Sequence, residues 1–249
     1  RRRSGALTVG FVGYTNAGKS SLFQHLSGKT VLIEDQLFST LETTVGRMAK
    51  SPRILLADTI GFIDNIPNAT LSAFKSTIAE AIDADLTLLL LDTSDPLPEL
   101  QRKLETTRRE VLERQEIEPD LLEEQRSPHV VLTKIDKVSD QHHRAVINLV
   151  EHLGFVDPTS VSSLTGAGMD ALQRLIRERL FGRSVTVRVS PPTSTNPDAS
   201  ERLVSSFYEH GMVENDQRSE DGVITLEVWM AAATLSQLQS RWKERIDIK

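Results

Sequence analysis

The stretch GYTNAGKSSL, residues 13–22, follows an apolar run, LTVGFV (7–12), and continues into FQHLS (23–27). Gly13, Gly18, Lys19 and Ser20 fit the spacing G-x-x-x-x-G-K-[ST], which sets a glycine-rich turn between a strand and a helix. Lacking a Cβ, glycine lets successive backbone N–H groups curl round a phosphate, and a helix starting at Gly18 aims the positive end of its dipole there. Asn16, Ala17, Gly18, Lys19, Ser20 and Ser21 are the expected phosphate cradle, with Lys19 reaching the β- and γ-phosphates and Ser20 placing its hydroxyl on Mg²⁺. The plain alternative is a glycine turn with an incidental lysine. The strand before it and the helix after it speak for the phosphate.

Outward from this loop, short apolar runs alternate with longer helix-like segments up to residue 182, the mark of βαβ units and a mostly parallel sheet. Strands are expected at 7–13, 44–49, 54–59, 86–92, 129–136 and 159–163, and helices at 18–27, 69–82, 98–115, 140–153 and 169–180. Several of the runs, such as LTLLLLD (86–92), are apolar nearly throughout, as strands covered on both faces must be. After Gly182 the texture changes to a strand at 185–190, a helix at 200–211, a polar turn at 215–222, an alternating strand at 223–230 and a last helix at 231–245. The expected architecture is α/β: a P-loop domain over 6–182 with helices flanking the sheet, and a small C-terminal α/β domain over 183–249. Residues 1–5 read as a linker remnant, and Arg rather than Met at position 1 suggests a fragment or processed chain.

The 249 residues carry 39% hydrophobic and 26% charged residues and a net charge of −6, so contact with nucleic acid must come from local patches, not the overall field. With no cysteine, disulfides, Cys-ligated zinc and thiol nucleophiles are excluded, in keeping with a cytoplasmic setting. No run is long enough to span a bilayer. The neighbouring His142 and His143 lack ligand spacing and read as surface histidines.

Two further motifs bear on the nucleotide. Asp58, in DTIG (58–61), ends an expected strand; its carboxylate can hold Mg²⁺ through water, and Gly61 leaves an N–H open to a γ-phosphate. TKID (133–136) and SSLTG (162–166) resemble the guanine-reading motifs of Ras-like, translation-factor-related GTPases. The resemblance implies that Asp136 accepts from guanine N1–H and the 2-amino group while the Lys134 stem packs on the base. Ser162, the Ser163 N–H and Leu164 would complete the pocket. Adenine lacks those donors, and an unpaired carboxylate is costly, so ATP should be rejected and a P-loop ATPase or kinase is the weaker reading. Thr133 stands where Asn is commoner, so weaker binding with unchanged specificity is expected.

GYTNAGKSSLF, DQLFSTLETT (35–44), DTIGFIDNIPNATLSAFKSTIAEAIDADL (58–86) and SSLTGAG together resemble the HflX-type GTPases, a family of ribosome-associated GTP hydrolases. The likeness runs over residues 5–182, and more weakly over 183–249. It implies a GTPase domain, GTP and GDP as substrate and product, Mg²⁺ held by Ser20, Thr40 and Asp58, and a switch acting on the ribosome. The large subunit and its rRNA are the implied partners, and subunit dissociation the implied outcome. A nucleotide-gated module for another RNA or protein, with incidental hydrolysis, is the alternative. Thr40 is the expected switch threonine, with Thr43 and Thr44 as rivals. Val45 stands where the family often has Arg, so that arginine's contact is not carried over.

Lys19, Thr40 and Gly61 are the expected catalytic group. Phe62 occupies the position where Ras-like proteins orient attacking water with glutamine, and it cannot hydrogen-bond water. Unassisted hydrolysis should therefore be slow, on the order of 10⁻⁴ s⁻¹, unless a group elsewhere or on a partner completes the site. Asn16 lies where potassium-stimulated relatives ligate K⁺; stabilising the loop turn is its other reading. Arg174, Arg177, Arg179, Arg183 and Arg188 could meet rRNA phosphates or simply form a solvated face.

Overall fold

Strands sandwiched between helix layers bury both faces, and the apolar runs do so here: β4 (Leu86–Asp92) is buried from Leu86 through Leu91, and β5 (His129–Thr133) along its whole length. The computed structural model describes residues 7–28, 44–48, 51–58, 84–117, 128–191, 198–242 and 245–248. With β1 (Leu7–Gly13), β2 (Thr44–Met48), β3 (Ser51–Asp58) and β6 (Thr159–Ser160), these strands form one sheet in the order β2-β3-β1-β4-β5-β6. All neighbours run parallel except β2, which pairs antiparallel with β3 and sets Thr44 opposite Asp58. The chain leaves β1 for β3 on one side and returns to β4 on the other. The loop after β1 thus stands at a topological switch point, where sheets of this kind hold ligands beyond their strands' carboxyl ends.

The helices of this unit are α1 (Lys19–Ser27), α2 (Leu97–Ile117), α3 (Asp140–His152) and α4 (Met169–Phe181). In α3 the Ser139 hydroxyl accepts from His142 N–H as an N-cap, and Val146 and Val150, one turn apart, turn one face to the core. They pack with Leu100 and Leu104 of α2 and with Val12, Leu89, Leu91, Val130 and Leu132 of the sheet. Each such side chain contributes roughly 1.5–3 kcal/mol of burial.

The chain divides into two compact units, Arg1–Gln173 and Arg174–Lys249, the division falling within α4. The second unit has an antiparallel sheet of β7 (Ser184–Val189), β8 (Met212–Arg218), β9 (Ile224–Trp229) and β10 (Ile246–Ile248), in the order β10-β7-β9-β8. Leu203, Val204 and Phe207 of α5 (Asp198–His210) pack on Val187, Val189, Leu226 and Val228, and Leu238 of α6 (Ala232–Arg241) joins them.

Several expected boundaries move. β8 occupies part of the expected polar turn: MVENDQR is an edge strand, and edge strands tolerate polar residues on both faces because one side meets water. The last helix stops at Arg241, and β10 follows. The strand expected at 129–136 ends at Thr133, because Lys134 turns the chain with φ 57° into a short 3₁₀ turn, Ile135–Lys137. The strand at 159–163 shrinks to two residues. The helix expected at 69–82 lies outside the described residues. Among those residues no helix is long and apolar enough to cross a membrane.

Candidate functional site

The candidate phosphate end is built from backbone. Ala17 N–H donates to Tyr14 O at 3.1 Å, closing the turn that Asn16 (φ 65°) and Gly18 (φ 84°) make possible through left-handed backbone. At Gly13 a Cβ would lie 2.6 Å from Leu90 O, so a side chain there would push the loop off the sheet. Gly18 caps α1 with no side-chain hydrogen bond, so the first-turn N–H groups are not claimed by a cap. Ser20 is half-buried in that turn, Ala17 is buried, and Asn16 and Ser21 are exposed.

Lys19 folds back into this loop. It is 7% exposed, and its ammonium donates to Tyr14 O at 2.9 Å and Gly13 O at 3.2 Å. Burial lowers its pKa to about 8, against which the Asp58 carboxylate pushes upward. Asp58, the half-buried last residue of β3, therefore shares the field of the loop that carries Lys19 and Ser20. A hydroxyl and one carboxylate are hard oxygen donors suited to Mg²⁺, which completes its shell with water and phosphate oxygens instead of a protein cage. No group of three acidic, histidine or cysteine side chains stands as a metal cage among the described residues.

The candidate base end is built from side chains. The Ser162 hydroxyl, fully buried, donates to Asp136 Oδ1 at 2.5 Å and accepts from Thr165 N–H at 3.1 Å, so its proton is committed to the carboxylate. Ser162 thus braces Asp136. Asp136 itself is exposed, Ser163 is half-buried, and Leu164 is 83% exposed beside them. Thr133, which stands where Asn is commoner, is buried, and its hydroxyl lies 2.9 Å from Ala17 O and 3.0 Å from Leu91 O, with one proton for the two. The base strand is thereby tied to the phosphate loop.

Groups absent from the expected site stand around it. Lys134 Nζ pairs with Asp92 Oδ2 at 2.5 Å, and Asp92 Oδ1 accepts from Ser94 N–H and Oγ–H. Burial pushes the Asp92 carboxyl up, but Lys134 and Ser94 outweigh it and leave it below its usual value. Tyr14 is buried with its ring under Lys103 Nζ and the Arg102 guanidinium, at 5.3 and 5.5 Å from the centroid, and Lys103 is held by Asp95 at 2.7 Å. His142 is half-buried and donates from Nε2 to Thr93 O at 3.0 Å, and His143 Nε2 meets Ser160 Oγ at 2.7 Å; neither is a plain surface histidine. Asp92 carries a visible signal. Like Asp58, it is a carboxylate ending an apolar strand at the sheet's carboxyl edge.

Other expected residues are placed differently. Thr40, Thr43, Gly61 and Phe62 lie outside the described residues, whereas Thr44 opens β2 and Val45 is 60% exposed. In the second unit Arg177, with its side chain 11% exposed, pairs with Glu214 at 3.1 Å, so it is not a free cation for RNA. Arg174, Arg179, Arg183 and Arg188 are exposed.

A phosphate cradle at the switch point of this sheet order, with a braced carboxylate on the next loop but one, defines the class: a P-loop GTPase fold. The comparisons sharpen it. A family model described as 50S ribosome-binding GTPase matches residues 8–148, and one described as HflX C-terminal domain matches residues 154–245. GTPase HflX of Akkermansia muciniphila is 35% identical over 249 aligned residues, covering 98% of this chain and 53% of that protein. GTPase HflX of Escherichia coli is 36% identical over 227 residues, covering 90% of this chain and 49% of that protein. A solved structure of a GTP-binding protein from Sulfolobus solfataricus in complex with GDP matches with a TM-score of 0.53 at 26% identity, over 70% of this chain and 52% of that one. The chain belongs to the HflX-type GTPase family. It spans about half the length of the curated relatives it matches.

Proposed function

We propose that this chain binds GTP and GDP, hydrolyses GTP to GDP and phosphate, and acts as a switch on the ribosome. The observation that carries the guanine reading is the Ser162-braced Asp136 on the loop that Thr133 ties to the phosphate cradle. With Oδ1 held by Ser162, the Asp136 carboxylate would accept from guanine N1–H and the 2-amino group; adenine offers neither donor. Lys19 would exchange its two carbonyl partners for phosphate oxygens, and the α1 N–H groups would take the rest of the phosphate charge.

Ser20 and Asp58 would hold Mg²⁺, which when bound neutralises charge across the β- and γ-phosphates. Thr40 and the Gly61 N–H are the proposed γ-phosphate sensors. Phe62 supplies no polar group to the attacking water, so turnover is slow until a partner completes or orders the site. The ribosomal part of the reading is supported by the family model described as 50S ribosome-binding GTPase, and the large subunit is the proposed partner.

The test is GTP turnover in K⁺ buffer with and without purified large ribosomal subunits, with Lys19→Ala subtracting contaminating activity. Stimulation of about 100-fold or more is expected. Tight GDP binding without stimulation would replace the ribosomal switch by a gated module for another partner.

A further inference from the structure

We propose that Asp92 is a positioning residue of the nucleotide site, pinning the Lys134 side chain as one wall of the base pocket before the nucleotide arrives. The inference rests on the guanine-site reading above and adds to it a residue that touches neither base nor phosphate.

The geometry starts at β4, whose buried run ends in Asp92, half-buried at the sheet's carboxyl edge. One oxygen of Asp92 takes both donors of Ser94, N–H at 3.0 Å and Oγ–H at 2.6 Å, which fixes the plane of the carboxylate. The other oxygen is thereby aimed at Lys134 Nζ, 2.5 Å away. Lys134 itself sits at φ 57°, so its backbone is already bent out of the strand direction and the side chain leaves the loop from a fixed base. The Lys134 side chain is 27% exposed and that of Asp92 13%, so the pair is less screened than a surface pair.

A free lysine stem loses much rotamer freedom when a ring stacks on it, which would cost the complex affinity. Tied at Nζ before binding, the stem presents its methylenes as a flat wall at little further cost, which is preorganisation in the ordinary sense. The effect concerns the face of the ring and not its edge. It should therefore change how long any purine nucleotide stays, without changing which purine is preferred.

The experiment uses the full chain, fluorescent GDP and stopped-flow dissociation. Asp92→Asn keeps an acceptor for Ser94 but loses the charge that holds Lys134, and its dissociation rate is expected to rise about tenfold. The ratio of GDP to IDP affinities should stay at the wild-type value, because the edge contacts of Asp136 are untouched. Lys134→Met keeps an apolar stem and unties it, so it should reach a similar rate. Adding Asp92→Asn to Lys134→Met should change the rate by less than about twofold. Lys134→Met also carries the test if Asp92→Asn fails to fold. A wild-type rate in either single variant, or an undiminished Asp92 effect in the Lys134→Met background, overturns the proposal while leaving the guanine site standing. A wild-type chain that binds no GDP overturns the underlying reading, and this inference with it.

Discussion

The two ends of the proposed nucleotide site are prepared in opposite ways. At the phosphate end, the chain offers backbone N–H groups and a buried ammonium that donates to its own loop and is held at a lowered pKa of about 8. At the base end, the polar side chains satisfy one another: Ser162 holds Asp136, Asp92 holds Lys134, and Thr133 bridges to Ala17. The first arrangement stores an electrostatic cost that an incoming phosphate would relieve. The second stores none and waits in its binding geometry. State sensing should reside at the first end and base selectivity at the second, with both ends contributing affinity.

The sharpest way to break this contrast is Lys19→Met. GDP affinity should fall at least about 100-fold, while the unliganded chain changes in stability by less than about 1 kcal/mol, because the relieved burial cost offsets two lost hydrogen bonds. Calorimetric titration and urea unfolding read the two quantities. A large stability loss would mean that Lys19 is a structural group, not a primed one. At the other end, Asp136→Asn replaces an acceptor with an amide that can donate, which favours a purine with an acceptor at C2. GDP should lose about 100-fold, and xanthosine diphosphate should overtake it in competition binding.

Ser162→Ala asks whether the brace matters apart from the carboxylate. It should raise the GDP dissociation rate roughly five- to tenfold without inverting base preference, which stopped-flow measurements would resolve. A change of preference would place Ser162 on the base itself.

The pH dependence separates the ends again. Since the folded pKa of Lys19 lies near 8 and the unfolded value near 10.5, the cost of burying its charge is fully present below pH 8 and is lost as pH rises toward 10.5. Stability of the unliganded chain should gain on the order of 3 kcal/mol from this group across that window. GDP affinity moves the other way, flat below pH 8 and then falling by up to tenfold per pH unit; Lys19→Arg, which stays charged, should lack that break. The smallest effect expected is at Asn16. If its exposed left-handed position serves a monovalent cation, GTP turnover should be several-fold faster in K⁺ than in Na⁺, and equal rates would leave it a turn former.

Most of the parallel sheet could be read from the sequence, because strands buried on both faces write themselves as LTVGFVG and LTLLLLD, with little else competing for those residues. The phosphate loop was equally plain, since backbone wrapping demands particular glycines at fixed spacing. The braces were not. Asp92 and Lys134 are 42 positions apart, and only the pairing of β4 with β5 brings their strand ends together. His142 looked like half of an idle pair because its partner is a backbone carbonyl, which no residue type announces. β8 was hidden for the opposite reason: MVENDQR shows no alternation, since an edge strand needs none.

The antiparallel pairing of β2 with β3 has a mechanical consequence. Asp58 is laddered to Thr44 and Ala57 to Val45, so the edge strand is paired with the backbone of the residue that ends β3. A strand cannot slide by one residue without turning every inward side chain outward, and Gly46 and Met48 face inward while Val45 and Arg47 face water. A one-residue slip along this edge would expose Gly46 and Met48 and bury Val45 and Arg47, and the irregularity between Arg47 and Met48 pins the register further.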